Sequence, residues 1–275
     1  MEVYLDEFAL NDNIMLFMDE SIEGVAGLPN IRSASGQNVG RDGGWVSRQL
    51  YDARYISFQG RIFNGDPLQV EVKRRELATV LRRKILTLKI VTYGGQEFTT
   101  QVNVMSGQMP ITWELNVVKW KIDLVASDPL FYDNSAGELE ATITKPIPGG
   151  FDIPFDIPLD IGTGSVPIVV NNAGNETVYP RIEITTKATN PEIINQTNNQ
   201  SMKVQVSVLG TGDKLVIDMK NQTITYNGLN VYGYKTDGSS FCGIDPGNNT
   251  LLINTDIAGE TSAADVFYQS GFIGI

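Results

Sequence analysis

A strand that stops abruptly divides this sequence in two. In Trp120-Lys121-Ile122-Asp123-Leu124-Val125-Ala126 the residues Trp120, Ile122, Leu124 and Ala126 fall on one face, and Lys121 and Asp123 on the other. That alternation predicts a strand with one buried and one wet face. Ser127-Asp128-Pro129 ends it, because proline has no donor for a ladder and pushes the residue before it into extended geometry. Leu130, Phe131 and Tyr132 follow as an apolar plug, and Asp133 to Gly137 is polar and turn-prone. One domain is therefore expected over residues 1–135 and a second over 136–275.

At 275 residues and 41% hydrophobic content the chain can bury two cores. No apolar run of membrane-spanning length occurs, and no membrane partner is expected. The acidic start Met1–Asp6 lacks the charged-then-apolar layout of a secretion signal, so synthesis in a cytoplasm is expected. Residues 1–135 hold 14 Lys+Arg against 17 Asp+Glu, and residues 136–275 hold 7 against 15. The acidic second half disfavours contact with nucleic acid or anionic membranes. The chain has one cysteine, Cys242, and no histidine. This excludes an internal disulfide, a Ser-His-Asp triad and any histidine-bearing zinc site.

The first half reads as mostly β. Val3 to Phe17 suggests two short strands broken by a turn near Asn11-Asp12-Asn13. Ser21 to Gly44 is rich in Gly, Ser and Asn and reads as a long loop, of the kind that serves an interface. Tyr55 to Ile62 alternates as a strand, with Gly60 as a candidate bulge. Asp66-Pro67-Leu68-Gln69 has the chemistry of a helix start. A helix over about 66–84 follows, basic through Lys73, Arg74, Arg75, Arg82, Arg83 and Lys84. Gly94-Gly95 marks a hairpin between Ile85–Val91 and Glu97–Met105.

The second half is all β. Phe151-Asp152-Ile153-Pro154-Phe155-Asp156-Ile157-Pro158-Leu159-Asp160-Ile161 repeats Asp-Ile every four residues, and its prolines predict an extended edge segment. Candidate strands are Glu138–Thr144, Val166–Asn171, Arg181–Thr186, Met202–Val208, Lys214–Asp218, Thr223–Tyr226, Asn230–Tyr232, Thr250–Thr255 and Ala264–Tyr268. Their regular spacing argues for a β-sandwich.

An ordered set of motifs then resembles the siphophage distal tail proteins. In the first half these are Gly40-Arg41-Asp42-Gly43-Gly44, Arg54-Tyr55-Ile56-Ser57-Phe58-Gln59-Gly60, the helix, and Ser127-Asp128-Pro129-Leu130-Phe131-Tyr132. In the second they are Asn171-Asn172-Ala173-Gly174, Tyr179-Pro180-Arg181-Ile182-Glu183-Ile184, Gly212-Asp213-Lys214-Leu215-Val216-Ile217-Asp218, Asn227-Gly228 and Ile244-Asp245-Pro246-Gly247-Asn248-Asn249. The resemblance implies a mainly β fold of two domains, an N-terminal β-sandwich with one helix and a C-terminal galectin-like β-sandwich. It implies a hexameric hub ring in the virion, at the distal end of a long non-contractile tail. The expected partners are copies of itself, the tail-tube protein, the tail-tip hub protein, and receptor-binding or baseplate proteins. DNA is expected only as passing cargo, and assembly in the bacterial host cytoplasm.

No catalytic, cofactor-binding or metal-ligating residue is expected, and interface residues are not assigned individually. The basic helix lacks interleaved aromatics and reads as a solvated or ion-paired face rather than a nucleic-acid contact. Asp152, Asp156 and Asp160 are spaced by four with prolines between them, which does not suit calcium. Cys242 reads as a small apolar core residue. The Asn-X-Ser/Thr triplets at Asn175, Asn195, Asn199 and Asn221 are discounted without a secretion signal. Two rival functions differ in class. A carbohydrate-binding adhesion module would use Tyr226, Tyr232 and Tyr234, since all three tryptophans lie in the first half. A hydrolase would need a carboxylate pair that the sequence does not mark.

Overall fold

One antiparallel pair sets the frame of the first unit. In the computed structural model, which describes residues 1–12, 16–112, 117–145, 167–210, 212–257 and 259–275, Arg54–Phe63 lies against Val117–Ala126. The register runs unbroken from Val117 opposite Phe63 to Ala126 opposite Arg54. Ile56, Phe58 and Ile62 are buried with Val118, Trp120, Ile122, Leu124 and Ala126, while Lys119 and Lys121 face out. The period-2 pattern is thus realised residue by residue, each large buried side chain contributing roughly 1.5–3 kcal/mol of transfer free energy. Gly60 pairs directly with Trp120 and is not a bulge in this ladder. The irregularity falls on the other neighbour, between Met18 and Ile22.

The strands of this unit are β1 (Glu2–Leu5), β2 (Phe8–Ala9), β3 (Leu16–Glu23), β4 (Ile31–Arg32), β5 (Ser35–Gln37), β6 (Gly44–Val46), β7 (Leu50–Tyr51), β8 (Arg54–Phe63), β9 (Ile85–Val91), β10 (Glu97–Gln108), β11 (Ile111–Thr112), β12 (Val117–Ala126) and β13 (Phe131–Asp133). The main sheet runs β2-β1-β9-β10-β12-β8-β3. The first hairpin turns at Asp6-Glu7, with Asp6 at φ 54°, not near Asn11. Asn11 instead accepts the Val3 N–H and donates to the Met1 carbonyl. Its neighbour Asn13 lies outside the described residues.

Helix α1 (Pro67–Leu81) begins as its sequence predicts: the Asp66 carboxylate accepts the Leu68 N–H at 3.0 Å, and Pro67 takes the first position. Val70, Leu77 and Leu81 form its buried stripe. The helix is shorter at its end than predicted. Lys84 stands at φ 69°, a left-handed conformation that stops the helix, and Ile85 opens β9.

Two further differences bear on the ends of the unit. The apolar segment Leu130–Tyr132 packs within the first unit, whose main span ends at Ser135. Phe131 is fully buried, and β13 pairs with β10 through Thr99–Tyr132 and Phe98–Asp133. Phe272–Ile275 also belongs to this unit, which otherwise spans Met1–Ser135. There Phe272 packs edge-on against Phe98 at 5.2 Å.

The second unit spans Ala136–Gly271. Its strands are β14 (Leu139–Lys145), β15 (Ile168–Asn172), β16 (Arg181–Ile184), β17 (Ala188–Thr189), β18 (Glu192–Asn195), β19 (Gln200–Lys203), β20 (Ser207–Val208), β21 (Leu215–Asp218), β22 (Thr223–Tyr226), β23 (Leu229–Asn230), β24 (Gly247–Asn254) and β25 (Ser262–Tyr268). One sheet runs β14-β25-β16-β21-β22-β23 and another β15-β24-β18-β19. Alternate residues of both are buried, among them Ile182, Ile184, Leu215 and Ile217 from the first and Ile193, Met202, Leu251 and Ile253 from the second. The segment after β23 is a short 3-10 turn, Tyr232–Tyr234, where the sequence suggested strand. The Asp-Ile repeat Phe151–Ile161 and Trp113 lie outside the described residues.

Candidate functional site

The segment that reads as a loop, Ser21 to Gly44, is the distinctive surface of the first unit. It ends β3 and then runs out along a thin two-stranded arm that returns through β6 and β7. Ile31 pairs with Tyr51, Arg32 with Leu50, Ser35 with Val46, Gly36 with Trp45 and Gln37 with Gly44. Between these short ladders Ser47 donates to the Ala34 carbonyl at 2.7 Å and Asp52 to Asn30 at 2.7 Å. Backbone pairing, with the Ala34 N–H donating also to Ser47 Oγ at 2.8 Å, holds the two sides of the arm together. From Ile31 to Leu50 every residue except Gly36 and Asn38 is exposed. Leu28, Ile31, Val39, Trp45, Val46 and Leu50 are among the exposed large apolar side chains. The Trp45 indole lies over Gly36, where an added Cβ would come within 2.9 Å of the ring, and 52% of Trp45 is exposed.

The root of the arm is fixed by Arg54, of which only 1% is exposed. Its Nη1 donates to the carbonyls of Gly24 at 2.6 Å and Gly27 at 2.8 Å, and its Nε to Pro129 at 2.8 Å. Its Nη2 donates to the carbonyl of Ile273, and the guanidinium lies 4.9 Å above the Phe131 ring. Burial lowers its pKa from the usual arginine value. No carboxylate neutralises it among these partners. Four carbonyl dipoles and an aromatic face do so instead, which suits the planar five-donor fork of arginine and not the point charge of lysine. One side chain therefore ties the arm root, the end of β12 and the chain terminus. Gly24, at φ 81°, passes so close to the Tyr55 carbonyl that a Cβ would stand 1.9 Å from it, so only glycine fits that crossing.

On the outward face of β8, β10 and β12 lies an open groove of about 410 Å³. Its floor holds Asp123, which accepts from Ser57 Oγ at 2.8 Å and Ser106 Oγ at 2.7 Å. Those two hydroxyls, Ser106 first, hold the Asp123 carboxyl below the usual range. Tyr55 and Met105, both more than half exposed, and Glu23 complete the rim.

The other candidates from the sequence are accounted for locally. Lys73 pairs with Asp12 at 3.0 Å and lies over the Phe8 ring, Arg75 pairs with Glu71 at 2.6 Å, and Arg83 with Asp6 at 2.8 Å. The basic helix thus spends much of its charge within its own unit. Cys242 is buried, and desolvation pushes its thiol up to about 11. Among the described residues no group of three or more acidic or cysteine side chains is placed to hold a metal ion. The Tyr226 hydroxyl is engaged by Asp213 at 2.8 Å, whereas Tyr232, stacked on Phe241, and Tyr234 remain exposed.

The class comes first: residues 173–272 match the family model described as the siphovirus-type tail component, C-terminal domain. The whole-chain likeness follows. The crystal structure of the Dit protein of phage SPP1, described as a paradigm of hub adsorption apparatus in Gram-positive infecting phages, has a TM-score of 0.67. It is 16% identical and covers 98% of this chain and 98% of that one. A chain of the phage P2 baseplate in its activated conformation has a TM-score of 0.44 at 12% identity, covering 90% and 89%. A comparison with curated protein sequences finds no match. Residues 173–272 thus resemble a siphovirus-type tail component domain, and the chain as a whole shares the mainly β fold of the SPP1 protein, in line with the motif set read from the sequence.

Proposed function

We propose that this chain forms the hub ring at the distal end of a long non-contractile tail, six copies around the channel. The ring joins the tail tube on one side to tail-tip or baseplate proteins on the other, and carries no catalytic step. The observation that carries this reading is the arm. Four large apolar side chains on its ladders, Ile31, Trp45, Val46 and Leu50, with Leu28 and Val39 in the adjoining turns, are exposed to water, and surfaces of that kind mark interaction sites. A stable neighbour contact needs roughly 800 Å² per partner, and the exposed arm is offered as part of it. The first unit is then the ring-former, and the second a bracket for receptor-binding or adhesion proteins. Its location is the virion tail tip, after assembly in the host cytoplasm.

Light scattering on the purified protein, with negative-stain images of the same peak, tests the ring. Annular particles with an open centre are expected. A chain that stays single at high concentration, and also ignores the tail-tip hub protein, would count against it. The exposed Tyr232 and Tyr234 motivate one rival, a carbohydrate-binding adhesion module. Binding of host cell-wall glycan by the full chain, lost in a Tyr232→Ala, Tyr234→Ala double variant, would favour that rival.

A further inference from the structure

We infer that the groove over Asp123 is the seat for the Trp45 face of the arm of a second copy of this chain. The inference rests on the ring reading and names the surface that receives the arm.

Three features of the groove and arm match. The groove combines an apolar rim, Tyr55 and Met105, with a carboxylate floor. That chemistry suits an indole, whose ring needs apolar walls and whose N–H needs an acceptor. Its volume of about 410 Å³ accommodates a large aromatic side chain. The charges also match. Glu23 and Asp123 give the groove two carboxylates against the single cation Lys121, which sits 3.6 Å from Asp123. The returning side of the arm carries Arg41 and Arg48 on either side of Trp45, against Asp42 alone. Opposite signs therefore meet when Trp45 enters.

Reach decides which copy supplies the arm. Tyr55 and Glu23 of the groove flank the arm's own root, where Asp52 pairs with Asn30. Trp45 lies seven positions before Asp52, about 20 Å along an extended strand. Trp45 is paired opposite Gly36 in that ladder and its indole lies over Gly36, and none of residues 28–52 lines the groove beside the arm's own root. A groove on a neighbouring copy is within range.

The test uses the full chain. Trp45→Cys in one batch and Met105→Cys in a second, differently tagged batch are mixed under a mild copper oxidant. Cys242 is buried and does not compete. A disulfide joining the two tags is expected. In parallel, Trp45→Ala and Asp123→Lys are expected to weaken assembly by about 30-fold or more, the loss typical of an interface anchor. Wild-type assembly with no mixed disulfide, or with both variants assembling normally, overturns the groove assignment and leaves the ring reading standing. A wild-type chain that never assembles overturns both. Should Asp123→Lys fail to fold, the cross-link and Trp45→Ala still decide.

Discussion

The arm and the asparagine-rich interior of the second unit look alike as sequence and differ as structure. The arm over Ser33 to Gly44 and the second unit's stretches Asn195 to Ser201 and Gly243 to Asn249 are all rich in Gly, Ser or Asn. In the second unit that composition closes on itself. Asn249 is fully buried. It donates to the carbonyls of Asp245 at 2.6 Å and Gly247 at 3.1 Å, and accepts from the Asp245 N–H and from Asn195. Asn195 in turn donates to Gly243, while Thr177 and Asn198 hold the Asp245 carboxylate. Buried polar groups of this kind need full satisfaction, and here they have it from within. The arm satisfies its backbone but leaves its apolar side chains in water. A self-satisfied polar cluster needs no partner, whereas an apolar ladder without a layer beneath it does.

The largest effect expected from breaking this comparison is at Arg54. Arg54→Ala strands four buried carbonyls and removes the filler over Phe131, at a cost of about 3–5 kcal/mol. Urea unfolding should show it, and Arg54→Lys should recover little. An Arg54→Ala loss under 1 kcal/mol would mean that the arm root is fixed by something else. Asn249→Ala should follow, at roughly 2–4 kcal/mol through the same measurement, because it orphans donors and acceptors at once. Arm substitutions should invert this pattern. Trp45→Ala should leave the unfolding of the single chain within about 0.5 kcal/mol while weakening assembly. A large stability loss there would show that the arm is part of a core.

The smallest effect is one of pH. The Asp123 carboxyl is held below its usual range by Ser106 and Ser57. A carboxyl lowered by folding stabilises the native state fully above its unfolded value, near 4, and loses that contribution as pH falls through the lowered value. Asp123→Asn should therefore differ from the wild type at pH 7, and the difference should shrink as pH falls through the lowered carboxyl value. A constant difference across that range would remove the charge from the account.

Much of this molecule was legible in the residues, and the gaps have physical causes. Alternation around Trp120, the Asp66 cap and the Gly94-Gly95 turn are local signals, and each became the element it predicts. β18 is hidden in the sequence because its two inward residues are Ile193 and the polar Asn195, while the aliphatic Ile194 sits on the other face, so the alternation of apolar and polar is lost. The arm read as a loop because its ladders rest on backbone pairing, which leaves no mark of one-sided burial on composition. The role of Arg54 was hidden for a related reason. Its partners are carbonyls contributed by Gly24, Gly27, Pro129 and Ile273, and a carbonyl leaves no trace in the identity of the residue that supplies it.

The most direct test of the central claim is the solution mass of the intact chain beside one in which residues 31–50 are replaced by a short turn. The arm account predicts a mass of six chains for the first, and a folded single chain with an unchanged unfolding midpoint for the second. Equal masses for the two, whether both assembled or both single, would contradict it.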